Sequence, residues 1–222
     1  MTEICSLWYE EKLLLSGEKV RVSLYERTMN VNGELHIKGL TISWDKIYED
    51  SYLRDIPAVS KVCSLSFSSP ITFFVGENGS GKSTLLEAMA VAYGFNPEGG
   101  TKNYSFSTYD SHSELCDAMT LIRGSHKPGW GYFLRAESFY NVATKEDEYS
   151  KEPGGVPLEL HQESQFFIVT HSPILLGIPD AQILSFDNGE IHECEYEDTD
   201  SYQVTELFIN NREQLLKRLL GE

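Results

Sequence analysis

The chain has 222 residues, of which 41% are hydrophobic and 23% charged, the balance of a globular chain and not of a disordered one. Lys and Arg number 18 against 34 Asp and Glu, and the net charge of −16 argues against broad binding to phosphate backbones, which needs clustered cations. No run approaches the roughly 18 uninterrupted apolar residues of a membrane span, and the opening MTEICSLWYEEKLLL carries acid where a leader peptide carries base, so a cytoplasmic chain without membrane insertion is expected.

Cys5, Cys63, Cys116 and Cys194 are scattered, with no CxxC pair, and read as reduced thiols. Residues 1–48 read as β-rich. Lys19–Tyr25 alternates with period two, Asn32-Gly33 is a hairpin signal, and Leu40–Trp44 reads as a strand. Ile71–Val75 is a short apolar run that reads as a buried strand of a mostly parallel sheet. A Gly-rich loop follows, and then a helix from Ser83 to Tyr93 with Leu85, Leu86, Met89, Ala92 and Tyr93 on one stripe and Gly94 as its stop.

Further on, the pattern predicts a helix over Ser113–Arg123 and a strand at Tyr132–Leu134. A polar, Pro- and Gly-containing linker covers Lys145–Glu163, and a second buried strand covers Phe166–Val169. Gln182–Phe186 and Glu190–Cys194 flank Asp187-Asn188-Gly189 and read as a hairpin. Val204–Leu220 closes the chain as an amphipathic helix. The acidic run Glu193–Asp200 reads as a solvated surface.

Gly76-Glu77-Asn78-Gly79-Ser80-Gly81-Lys82-Ser83 fits G-x-x-x-x-G-K-[ST] between a buried strand and a helix. Glycines let backbone N–H groups curl around phosphates, and the helix N-terminus adds partial positive charge. In this reading Lys82 reaches the β- and γ-phosphates, and Ser83 coordinates Mg²⁺. Thr84 caps the helix or meets the α-phosphate. The expected ligands are therefore ATP and Mg²⁺. The aromatics Trp44, Tyr48 and Tyr52 are candidates to stack on the base, with core or surface packing as the plainer role.

The Asn78–Thr84 run resembles the Walker A loop of ATP-binding-cassette (ABC) ATPases. Gln165–Pro173 is a strand ending in Thr170-His171-Ser172. In that class a histidine after such a strand senses the γ-phosphate, and His171 matches it. The blocks Ile71–Ala92, Gly94–Gly100, Asp110–Leu115, Phe133–Ala143 and Phe167–Leu176 are similar to a family of bacterial stand-alone ABC-type ATPases with heads like those of SMC-type proteins. The resemblance implies an α/β P-loop NTPase of ABC type, with a mostly parallel core sheet and an N-terminal antiparallel β lobe. It implies one ATPase domain over 1–222, with the lobe at 1–68 and the nucleotide-binding core at 69–222. It also implies an ATP-dependent homodimer that drives a protein partner. Nucleic acid enters by analogy alone. Glu137 sits where the family places a Q-loop and is a candidate Mg²⁺ ligand.

The chain departs from that family in one respect. The signature motif, the Walker B aspartate and the catalytic glutamate are not visible, and only 32 residues separate Glu137 from Thr170. Several helices and two strands would need roughly 60–100 residues. The favoured explanation is an internal segment missing near 147–163; the other is a chain that binds ATP without efficient hydrolysis. Asp187 ends an apolar run but follows His171 and reads as a turn residue. A small-molecule kinase and a transporter ATPase are weaker readings.

Overall fold

The apolar strand β3 (Ile71–Val75) has Thr72, Phe73 and Phe74 fully buried, as its sequence predicts. The computed structural model that places it describes residues 35–97, 99–101, 113–125, 131–133 and 164–220. Lys19–Tyr25, Asn32-Gly33, Glu137 and the 147–163 stretch lie outside the described residues. Parallel neighbours flank β3: β7 (Phe166–Val169) on one side and β8 (Gln182–Ser185) on the other. The short β9 (His192–Glu193) adds antiparallel to β8, completing the order β7-β3-β8-β9.

A second, antiparallel sheet has the order β2-β1-β5, from β1 (Ile37–Ile42), β2 (Ser64–Ser66) and β5 (Met119–Arg123). Its third strand thus comes from the far side of the Gly-rich loop in sequence. A small pair joins β4 (Gly100–Thr101) to β6 (Tyr132–Phe133), where a strand at 132–134 is expected. Mixed parallel and antiparallel sheets fit the expected α/β class.

The helix expected over Ser113–Arg123 is corrected. Only Leu115–Ala118 is helical, and Met119 starts β5. Pairing along β1 from Ile37↔Arg123 to Ile42↔Met119 supplies long-range partners that local periodicity cannot reveal. The strand expected at Leu40–Trp44 ends at Ile42 instead, because Trp44–Lys46 forms a 3₁₀ turn. Arg54 holds that turn by donating to the carbonyls of Trp44, Ile47 and Tyr48, and its guanidinium lies 5.6 Å from the Trp44 ring centroid.

With the four-residue α1 (Pro57–Ser60) preceding it, helix α2 (Lys82–Tyr93) runs between the two sheets. Leu85, Ala88 and Met89 join a core with Leu40, Met119, Phe74 and Phe186, so one apolar layer links both sheets through α2. The opposite face of β3, Phe73 and Val75, packs with Ile183 and with Leu176 of α4 (Pro173–Leu176); Leu115–Ala118 is α3. Period two along β3 thus divides its side chains between two cores. Gly94 ends α2 in a left-handed conformation, its N–H donating to Ala90 and Val91.

Two buried or half-buried amides tie the sheets together at the strand starts. Gln165 bonds both the N–H and the C=O of Ile37, each at 2.9 Å. Gln182 accepts from the Ser68 N–H and donates to the Ser66 carbonyl. The hairpin reading of 182–194 holds, with Asp187–Gly189 as a 3₁₀ turn between β8 and β9. The final helix α5 covers Asp200–Leu220, slightly longer than expected.

Candidate functional site

The Gly-rich loop leaves β3 at Gly76 and enters α2 at Lys82, the strand–loop–helix setting that the motif requires. Gly76 and Gly81 have φ of 128° and 98°, a region that side chains rarely enter. At Gly81 a Cβ would also lie 2.5 Å from Val59 and 2.8 Å from Ile56, so α1 presses directly on the start of α2. At Gly76 a Cβ would lie 2.9 Å from the Asp187 carboxylate.

Lys82 is 5% exposed, and its Nζ is turned back on the loop. It donates to the carbonyls of Gly76 at 2.7 Å and Glu77 at 2.5 Å, and to Ser80 Oγ at 3.3 Å. Burial lowers its pKa from the usual lysine range, and the negative charge of Asp187 acts in the opposite direction. The Ser80 N–H closes a turn on the Glu77 carbonyl at 3.3 Å. Glu77, Asn78 and Gly79 are exposed, Ser83 is exposed on the first turn of α2, and Thr84 is half-buried. Backbone donors, one cation and one hydroxyl at a helix N-terminus form the donor set that a triphosphate with a hydrated Mg²⁺ would meet.

β7 ends level with β3, with Phe74 opposite Val169, so Thr170 and His171 emerge at the edge of the sheet from which the Gly-rich loop emerges. His171 is exposed and lines an open cleft of about 1360 Å³ together with Gly76, Glu77, Asn78 and Ser80. Ser172 next to it caps α4, its Oγ accepting from the Leu175 N–H. The structure thus brings the loop and His171 together. Trp44, Tyr48 and Tyr52 are not among the lining residues; Pro57 and Ala58 are. Trp44 Nε1 donates to the Val62 carbonyl at 2.7 Å, and Tyr48 and Tyr52 are 72% and 57% exposed. Glu193, Glu195, Asp198 and Asp200 also line the cleft, so the acidic run is both solvated and adjacent to the loop.

Asp187, which reads from the sequence as a turn residue only, also contacts the Gly-rich loop. Its Oδ1 accepts from the Glu77 N–H at 3.0 Å, and its Oδ2 accepts from the Ser185 hydroxyl at 2.8 Å. The signal was present as an aspartate just past a strand parallel to β3, but the register Val75↔Ser185 was needed to use it.

Among the described residues, no group of three or more His, Cys, Asp and Glu side chains could hold a metal ion, and no helix is long and apolar enough to cross a membrane. No curated protein and no solved structure gives a significant match. Residues 60–153, which include β3, the Gly-rich loop and α2, match the family model of an AAA domain, and that match supports an AAA-type P-loop ATPase family.

Proposed function

We propose that this chain binds ATP with Mg²⁺ at the Gly76–Thr84 loop and works as an ABC-type ATPase whose nucleotide state controls dimerisation or a partner protein. The observation that carries this reading is the buried strand, left-handed glycines and helix N-terminus around Lys82, with His171 lining a cleft together with Gly76, Glu77, Asn78 and Ser80 of the loop. In this reading Gly76, Glu77, Asn78, Gly79, Ser80 and Gly81 form the cradle, and Lys82 exchanges its loop carbonyls for phosphate oxygens. Ser83 holds Mg²⁺ and Thr84 the α-phosphate end, and His171 senses the γ-phosphate. Mg²⁺ neutralises phosphate charge when bound. Homodimerisation and a cytoplasmic location belong to the same reading, as does Glu137 as a candidate Mg²⁺ ligand.

The lack of a visible Walker B aspartate and catalytic glutamate favours a second reading, a nucleotide-gated module with negligible turnover. An internal segment missing near 147–163 would return the chain to the first. Titration with ATP tests the shared claim: saturable binding that Lys82→Ala weakens at least tenfold supports it, and equal affinity in the variant refutes it. Mg²⁺-dependent phosphate release over many turnovers selects the ATPase, and binding without release selects the gated module. Intact mass decides on the segment, since a chain several kDa above 25.1 kDa would carry it.

A further inference from the structure

β3 ends at Val75, and the last ladder bond runs from the Phe186 N–H to the Val75 carbonyl at 2.9 Å. Two residues on, the Glu77 N–H has left the ladder and needs another acceptor. Asp187 supplies it from a position 110 residues away in sequence, and a bond to a carboxylate is stronger than one to a neutral acceptor. The carboxylate is itself locked. Ser185 Oγ donates to Oδ2, and the Asp187 N–H donates back to Ser185 Oγ at 3.2 Å. Gly76, lacking a Cβ, leaves the space that the carboxylate fills.

The backbone of Glu77 is therefore held on both sides of its Cα. Its N–H is bonded to Asp187, and its carbonyl accepts from Lys82 and from the Ser80 N–H. Under the nucleotide reading, Lys82 must leave that carbonyl to meet phosphate. The Asp187 bond is to the preceding peptide group, across the Glu77 Cα, and does not have to break. We propose that Asp187 is a positioning residue: it pins the first turn of the Gly-rich loop through the Glu77 amide, so that the loop keeps its phosphate-binding shape when Lys82 moves. This role rests on the nucleotide reading; the hydrogen bond itself does not.

The test combines two readouts on the full chain and its Asp187→Ala and Asp187→Asn variants. The first is hydrogen exchange of the Glu77 amide without nucleotide. The second is ATP affinity by titration. The alanine variant is expected to speed Glu77 exchange at least tenfold and to weaken ATP at least tenfold. Asparagine keeps an acceptor oxygen without the charge, and is expected to restore both to within about threefold. Unchanged Glu77 exchange in Asp187→Ala, unchanged or tighter ATP binding, or an asparagine no better than alanine overturns the proposal. A full chain that binds no ATP overturns the nucleotide reading, and exchange alone then decides whether the clamp exists. Should Asp187→Ala fail to fold, Ser185→Ala frees one carboxylate oxygen and is expected to speed Glu77 exchange several-fold; no change overturns the clamp.

Discussion

The ammonium of Lys82 donates to the carbonyl of Gly76 at 2.7 Å, so the cation of the loop is folded onto the loop's first glycine. A buried lysine left without such partners would carry a large desolvation cost, and the loop carbonyls offset it. Phosphate oxygens would have to replace them. Lys82→Ala removes charged hydrogen bonds of about 1.5–3 kcal/mol each in the bound state, or roughly tenfold or more in ATP affinity. Without nucleotide, the charge and its bonds leave together, so the melting temperature is expected to stay within about 4 °C of the unsubstituted chain. Calorimetric titration and a thermal melt check the two halves.

Gly81→Ala is expected to destabilise the fold by about 3 kcal/mol, combining a left-handed backbone with overpacking. Its φ is 98°, and the added methyl would meet Val59 and Ile56 inside 3 Å. Val59→Ala in the same chain removes the Val59 clash and leaves the Ile56 contact and the backbone part. Urea unfolding of the single and double variants separates them, and full rescue by Val59→Ala would contradict the backbone share.

Arg54 bridges three carbonyls on one segment, with Nη2 at 2.8 Å from both Trp44 and Ile47 and Nε at 3.0 Å from Tyr48. Only a fork of planar donors can serve that arrangement. Arg54→Lys is therefore expected to lose most of what Arg54→Ala loses, about 1–2 kcal/mol given the exposure of two of the bonds. Urea midpoints for both variants, with amide exchange over residues 44–55, provide the check.

Burial, with the neighbouring carboxylates second, pushes the thiols of Cys116 and Cys194 up from 9.0 to about 11. The folded state therefore keeps these protons where the unfolded chain loses them. Their contribution to stability is complete below pH 9 and falls as the pH rises towards 11. Urea midpoints should drop between pH 9 and 11, and less so in a Cys116→Ser, Cys194→Ser double variant. Peptide-resolved alkylation at pH 8 should label exposed Cys63 ahead of both, since the thiolate is the reactive form.

By itself the sequence determined the nucleotide-motif unit. Ile71–Val75, the Gly-rich loop, the helix ending at Tyr93 and its Gly94 stop are local features set by a buried apolar run, turn glycines and 3.6-residue periodicity. Phe166–Val169 and the 182–194 hairpin were legible for the same reason. Tertiary structure alone decided the rest. Met119–Arg123 becomes a strand because β1 lies beside it, and pairing over a distance of some 80 residues leaves no local periodic trace. Asp187 looks like any turn aspartate until the parallel register of β3 with β8 sets it against the Glu77 amide. His171 and Gly76, far apart in the chain, line one cleft because parallel strands send their C-terminal ends the same way.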